Sequence, residues 1–190
     1  MSLQDINEII SVEDYLEGEL VSEIKHEYLG GNVHAMAGGK MRHNKASVNV
    51  AGSLYSSLKG KPCQPFNSDT KVRIQLPNQT RFYYPDVQVI CEPVDDDTVF
   101  TDNPVVVVEV LSDSTRRLDV GEKRDAYLSV PSLKVLIIID PAKVYVNVDR
   151  RRPLGGFDQE QYRQIDQRID LPEIETSLPI SDIYEGITLQ

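Results

Sequence analysis

One stretch does most to restrict what this chain can fold into. From Pro104 to Ser112 it reads Pro-Val-Val-Val-Val-Glu-Val-Leu-Ser, continuously apolar apart from Glu109. A valine run without polar alternation predicts a strand buried on both faces, in the middle of a sheet. A bare carboxylate near the end of such a strand costs several kcal/mol unless a cation meets it. Something must meet Glu109, and the question of function is largely what that partner is.

The flanking sequence supplies the rest of an α/β sandwich. Ser11-Val12-Glu13-Asp14 reads as a capping box opening a short amphipathic helix. Gly30-Gly31-Asn32, between Glu27-Tyr28-Leu29 and Val33-His34-Ala35-Met36, reads as a hairpin turn. Ala46, Val50, Leu54 and Leu58 recur at helical spacing from Arg42 onward, with Gly60 and Pro62 as the stop. Residues 70–76 alternate as a strand, and residues 81–90 read as a second one. Asp119 can cap a helix running to about Ser129, ended by Pro131, and residues 133–139 form another buried strand.

The order helix, three strands, helix, strand forms the core. Residues 144–148, a basic tip at Arg150-Arg151-Arg152, and a strand near residues 161–165 extend the sheet. A short helix or turn over residues 178–184 closes the chain. At 190 residues a single domain is expected, with an N-terminal extension (1–41), a core (42–140) and C-terminal strands (141–190).

No apolar run approaches the roughly 20 residues of a membrane span, and the N-terminus lacks a basic-then-apolar signal. Two cysteines, Cys63 and Cys91, are too few for a disulfide framework or zinc site, so buried free thiols and a cytoplasmic location are expected. The net charge of −10 argues against a polyanionic partner, but the average hides a block. Residues 37–81 carry eight bases, among them Lys40, Arg42 and Lys45, against the single acid Asp69. Such a block either faces phosphates or pairs with the acidic remainder of the protein or of a second subunit.

Asp86 follows Pro85, and a proline in a strand marks an edge, a bulge or a start, where a side chain can be aimed into a cleft. Asp119, Lys123 and Tyr127, at i, i+4 and i+8, form one stripe on the following helix. Asp86, Glu109 and a nearby carbonyl make a hard-oxygen set suited to Mg2+ or Mn2+, beside which a lysine can orient water or stabilise negative charge. The competing reading is a buried Glu109–Lys123 ion pair that only holds helix to sheet, with Asp86 capping a turn.

The motifs Tyr84-Pro85-Asp86-Val87, Val108-Glu109-Val110-Leu111-Ser112-Asp113-Ser114-Thr115, Lys123, Tyr127, Val130-Pro131-Ser132-Leu133 and Ile139-Asp140-Pro141 resemble the Uma-type putative restriction endonuclease family of the PD-(D/E)XK nucleases. Glu27-Tyr28-Leu29-Gly30-Gly31, His43-Asn44 and Ser68-Asp69 extend the resemblance over nearly the whole chain.

The resemblance implies a PD-(D/E)XK core and Mg2+- or Mn2+-dependent cleavage of DNA, with a homodimer expected by analogy with the superfamily. Asp86 and Glu109 would be catalytic metal ligands, with the Val110 carbonyl as a third. Leu111 occupies the slot where the lysine of the motif is expected, and the lysine role passes to Lys123 on the helix. Asp69, Glu27 and His43 are supporting candidates, and Lys40, Arg42 and Lys45 are candidate phosphate contacts. The alternative is an inactive nucleic-acid-binding or assembly module of the same fold.

Overall fold

The structure, a computed structural model, describes residues 9–36, 38–112 and 121–190. Helix α1 (Val12–Val21) starts at Ser11, whose hydroxyl accepts the Asp14 N–H at 3.0 Å, as a capping residue does. Strands β1 (His26–Leu29) and β2 (Asn32–Ala35) turn through Gly30 and Gly31, at φ of 58° and 104°. Positive φ at both positions is what a tight hairpin turn of this kind needs. Helix α2 (Met41–Leu58) buries Ala46, Val50, Leu54 and Leu58, the stripe that the spacing predicts.

The remaining elements are β3 (Gln64–Asn67), β4 (Lys71–Leu76), β5 (Gln79–Tyr83), β6 (Val87–Ile90), β7 (Phe100–Thr101), β8 (Val106–Val110), α3 (Glu122–Leu128) and β9 (Val135–Asp140). They are followed by β10 (Tyr145–Arg151), β11 (Phe157–Tyr162), β12 (Arg168–Leu171), β13 (Thr176–Pro179) and α4 (Ile180–Ile183).

Two main sheets form, one in the order β2-β1-β5-β4-β7 and one in the order β11-β10-β9-β8-β6-β3. The valine strand β8 lies inside the second, antiparallel to β6 and parallel to β9, and every one of its residues is buried. One face of that sheet packs against α2, α4 and the β12–β13 hairpin. Its other face packs against α3 and the five-stranded sheet through Val107, Leu136, Ile138, Val72, Ile74, Tyr83 and Tyr127. Helix α1 covers the far side of the five-stranded sheet, where Tyr15 meets Tyr28 and Phe82.

The mixed α/β architecture is as expected, with three corrections. Residues 81–90 are two strands in two different sheets, because Pro85 has no N–H to continue a ladder and the chain crosses over at Tyr84-Pro85-Asp86. The short strands β3 and β7 each form an edge of one main sheet, and β11 begins four residues before the expected strand. Cys63 and Cys91 are joined by a disulfide, where free thiols were expected. Strand β3 pairs antiparallel with β6 with Gln64 opposite Ile90, and one further step brings the two cysteines face to face. The proposed cap Asp119 lies outside the described residues. Among the described residues, no helix is long and apolar enough to cross a membrane.

Candidate active site

The site is set by strand register. Val87 on β6 pairs with Val108 on β8, so one step on, Asp86 stands opposite Glu109. The Asp86 carboxylate then takes the place of the next ladder partner, its Oδ2 accepting the Val110 N–H at 2.7 Å. His43 Nε2, from the first turn of α2, lies 3.3 Å from the same oxygen.

Glu109 is only 4 % exposed. Its Oε1 accepts the Tyr127 hydroxyl at 2.8 Å and lies 3.0 Å from Lys123 Nζ. The same ammonium donates to Glu27 Oε1 at 2.9 Å, so Lys123 bridges two carboxylates from two sheets. Lysine at 123 and tyrosine at 127 share a face of α3 because they are four residues apart. Helix α3 begins at Glu122, one residue before the lysine.

Beneath this group lies Tyr83. Lys123 Nζ sits 5.2 Å from its ring centroid, and the Tyr83 and Tyr127 rings are 5.5 Å apart. The Tyr83 hydroxyl accepts from Arg81 Nη1 at 3.2 Å, and Arg81 Nη2 pairs with Glu122 at 2.7 Å. Burial pushes the Tyr127 phenol well above its ordinary value, and the negative charges of Glu109 and Glu27 push it further. Burial likewise raises Tyr83, against the opposing pull of Arg81. Both hydroxyls therefore keep their protons at neutral pH.

A cavity of about 150 Å3 adjoins Asp86, lined by Lys40, Arg42, His43, Leu111, Ser112, Asp140 and Gln190 among others. The first turn of α2 carries no acid, and Lys40 makes no side-chain capping bond. Cations at a helix N-terminus oppose its dipole, and this wall carries three basic side chains with Asp140 in the same lining.

Of the residues singled out in the sequence, the structure gathers Asp86, Glu109, Val110, Lys123, Glu27 and His43, with Lys40 and Arg42 on the adjoining wall. It does not gather two others. Lys45 Nζ donates to the Gly186 carbonyl at 2.6 Å, tying α2 to the C-terminal segment. Asp69 is exposed, paired with Lys25 and bonded by the Asn67 amide. Arg81, Tyr83 and Glu122 were not foreseen. Strand alternation was the available signal, since residues 81 and 83 share one face of β5.

Among the described residues, no group of three or more histidine, cysteine or acidic side chains converges as a metal cage. Mg2+ does not require one, because it keeps several waters and takes one or two carboxylates. Asp86 and Glu109, hard oxygen donors at opposed positions of neighbouring strands, fit that pattern.

A family model described as Uma2, "Putative restriction endonuclease", matches residues 12–181. An uncharacterized protein of Synechocystis sp. is 35% identical over 179 residues, 94% of this chain and 93% of the relative. A second uncharacterized Synechocystis protein is 29% identical, covering 70% of this chain and 75% of its own length. Among solved structures, a putative nuclease belonging to DUF820 from Anabaena variabilis superposes with a TM-score of 0.73 at 19% identity. That match covers 93% of this chain and 98% of the other, and marks a shared fold.

Proposed function

Because the chain belongs to the Uma2 family, described as putative restriction endonucleases, we propose that it is a divalent-metal-dependent nuclease that hydrolyses DNA phosphodiester bonds at Asp86, Glu109 and Lys123. The observation that carries this reading is the convergence of three charged groups. Asp86 and Glu109 hold opposed positions on neighbouring strands, and Lys123 contacts Glu109 at 3.0 Å.

The carboxylates of Asp86 and Glu109 and the Val110 carbonyl would hold Mg2+ or Mn2+, which supplies Lewis-acid polarisation of the phosphoryl oxygen and an acidified water. The chain's own groups do the rest. The Val110 N–H and His43 fix Asp86. Glu27 and Glu109 hold the Lys123 ammonium beside the site, where it stabilises negative charge developing on the phosphate. Lys40 and Arg42 meet flanking phosphates from the α2 side. A homodimer would bring one such site to each strand of a duplex.

A second reading has a specific observation behind it, because Lys123 compensates Glu109 without any metal. An inactive nucleic-acid-binding or assembly module would keep that bridge and nothing more. Titration of Mg2+ and Mn2+ against wild-type protein, Asp86→Asn and Lys123→Ala, scored by nicking of plasmid and branched DNA, separates the two. The nuclease reading expects metal-dependent nicking that both substitutions remove. Wild-type protein that neither binds metal nor cleaves any DNA or RNA form overturns it.

A further inference from the structure

We propose that Tyr127 is a positioning residue, whose hydroxyl fixes the rotation of the Glu109 carboxylate as a ligand for a divalent cation. The inference rests on the metal-site reading above. The terminal torsion of a glutamate is broad and has no strong preference of its own. At the end of a buried strand, a carboxylate free to turn would present either oxygen towards Asp86. Tyr127 and Lys123 together restrict that freedom, and of the two only Tyr127 is fixed by a fully buried ring.

Its hydroxyl donates to Oε1 at 2.8 Å, and Lys123 Nζ contacts the same atom at 3.0 Å. Two donors on one oxygen engage both of its lone pairs.

The anchoring of the ring supports a positioning role. Tyr127 is 0 % exposed and sits among Val72, Leu133 and Leu136. Its ring also packs on Tyr83 at 5.5 Å. A leucine or phenylalanine would satisfy that packing without the cost of desolvating a phenol. The hydroxyl is explained by its acceptor, Glu109.

The test is calorimetric titration of Mn2+ into wild-type protein, Tyr127→Phe and Tyr184→Phe, with urea unfolding of each. Phenylalanine at 127 keeps the ring packing and deletes only the bond to Glu109. Tyr184→Phe is the control for losing a buried hydroxyl elsewhere, since that group donates to the Asp140 carbonyl at 3.0 Å.

Removing a partner that orients a metal ligand typically weakens metal binding about 10- to 100-fold, and this is expected for Tyr127→Phe, with Tyr184→Phe unchanged. At fixed subsaturating Mg2+, Tyr127→Phe should lower kcat while leaving KM for DNA unchanged, and added Mg2+ should restore the rate. Equal Mn2+ affinity in wild type and Tyr127→Phe overturns the positioning role and leaves the nuclease reading intact. Wild-type protein that binds no Mn2+ overturns both. If Tyr127→Phe does not fold, the wild type still decides. Mg2+ titration must move the Tyr127 13Cζ resonance with the midpoint of binding, and a resonance that stays put overturns the proposal.

Discussion

Tyr83 and Tyr84 are adjacent in the chain and point to opposite faces of the five-stranded sheet, and each sits against a buried lysine and a carboxylate. On the inner face, Lys123 lies over Tyr83 and bridges Glu27 and Glu109 directly. On the outer face, Lys71 donates to the Tyr84 hydroxyl at 3.1 Å, and that hydroxyl donates to Glu19 at 2.6 Å. Helix α1 supplies Glu19, which also accepts from the His26 backbone N–H at 3.3 Å and lies 2.7 Å from His26 Nδ1. The inner lysine has two carboxylates in contact, whereas the outer lysine reaches its carboxylate only through a phenol.

The same materials thus make two different objects. The outer cluster is a clamp that holds α1 to the sheet, and its members answer one another. The inner cluster has Asp86 beside it, whose neighbour His43 lines a cavity with Lys40 and Arg42, and it joins three separate elements, β1, β8 and α3. A buried lysine and carboxylate alone do not identify a site. What distinguishes the inner pair is a second carboxylate held at the opposed register position of the neighbouring strand.

The contrast can be broken most forcefully at Lys123. Lys123→Ala leaves the buried Glu109 and the half-buried Glu27 without their shared cation, and removing one partner of a buried pair costs about 3–5 kcal/mol. Urea unfolding at neutral pH measures it, and a loss near zero would mean that the bridge is not formed in solution.

Glu19 should come next. Burial works to raise its pKa, but hydrogen bonds from Tyr84 and His26 outweigh burial and hold it below the ordinary 4.5. A carboxylate with a depressed folded-state pKa contributes stability that is present above 4.5 and lost as pH falls through the lower folded value. Glu19→Gln should therefore flatten the acid limb of stability against pH. At neutral pH it should cost about 1.5–3 kcal/mol, as hydrogen bonds to a charged group do.

Lys71 sharpens the comparison from the other side. Burial lowers its pKa, Glu19 pulls it back up and Lys25 lowers it again. A base depressed in the fold makes stability rise with pH through the window between its lowered value and 10.5. Lys71→Met should remove that rise and change neutral-pH stability by no more than about 1 kcal/mol, because no direct carboxylate is orphaned. A loss as large as that of Lys123→Ala would mean that the two lysines are held alike. The smallest effect belongs to the exposed Lys25–Asp69 pair, where Lys25→Ala should cost at most about 0.5 kcal/mol in thermal or urea unfolding.

Much of the inner cluster is legible in the sequence. An apolar run with one acid demands a cation, and helical spacing put Lys123 and Tyr127 on one stripe. Asp86 was marked by the proline before it. What was hidden depends on pairing between distant segments. Strands of two to four residues such as β3 and β7 carry too little alternation to be read, and without β3 nothing brings Cys63 to Cys91. Residues 81–90 look like one strand because apolar pattern is blind to which sheet a strand joins. Arg81 and Glu122 escaped for the same reason, since their pairing at 2.7 Å spans two elements whose packing no local pattern encodes.

The crossing at Tyr84-Pro85-Asp86 has a consequence for how such a chain can change over generations. It joins the last residue of β5 to the first of β6, strands of two different sheets. Sides alternate with a period of two, so a gain or loss of one residue there would turn Asp86 away from Glu109 or pull one sheet out of step with the other. The exposed acidic loop at residues 95–97 is under no such rule and can vary in length. Lineages descended from this sequence can lengthen or shorten that loop, while the bridge keeps its count.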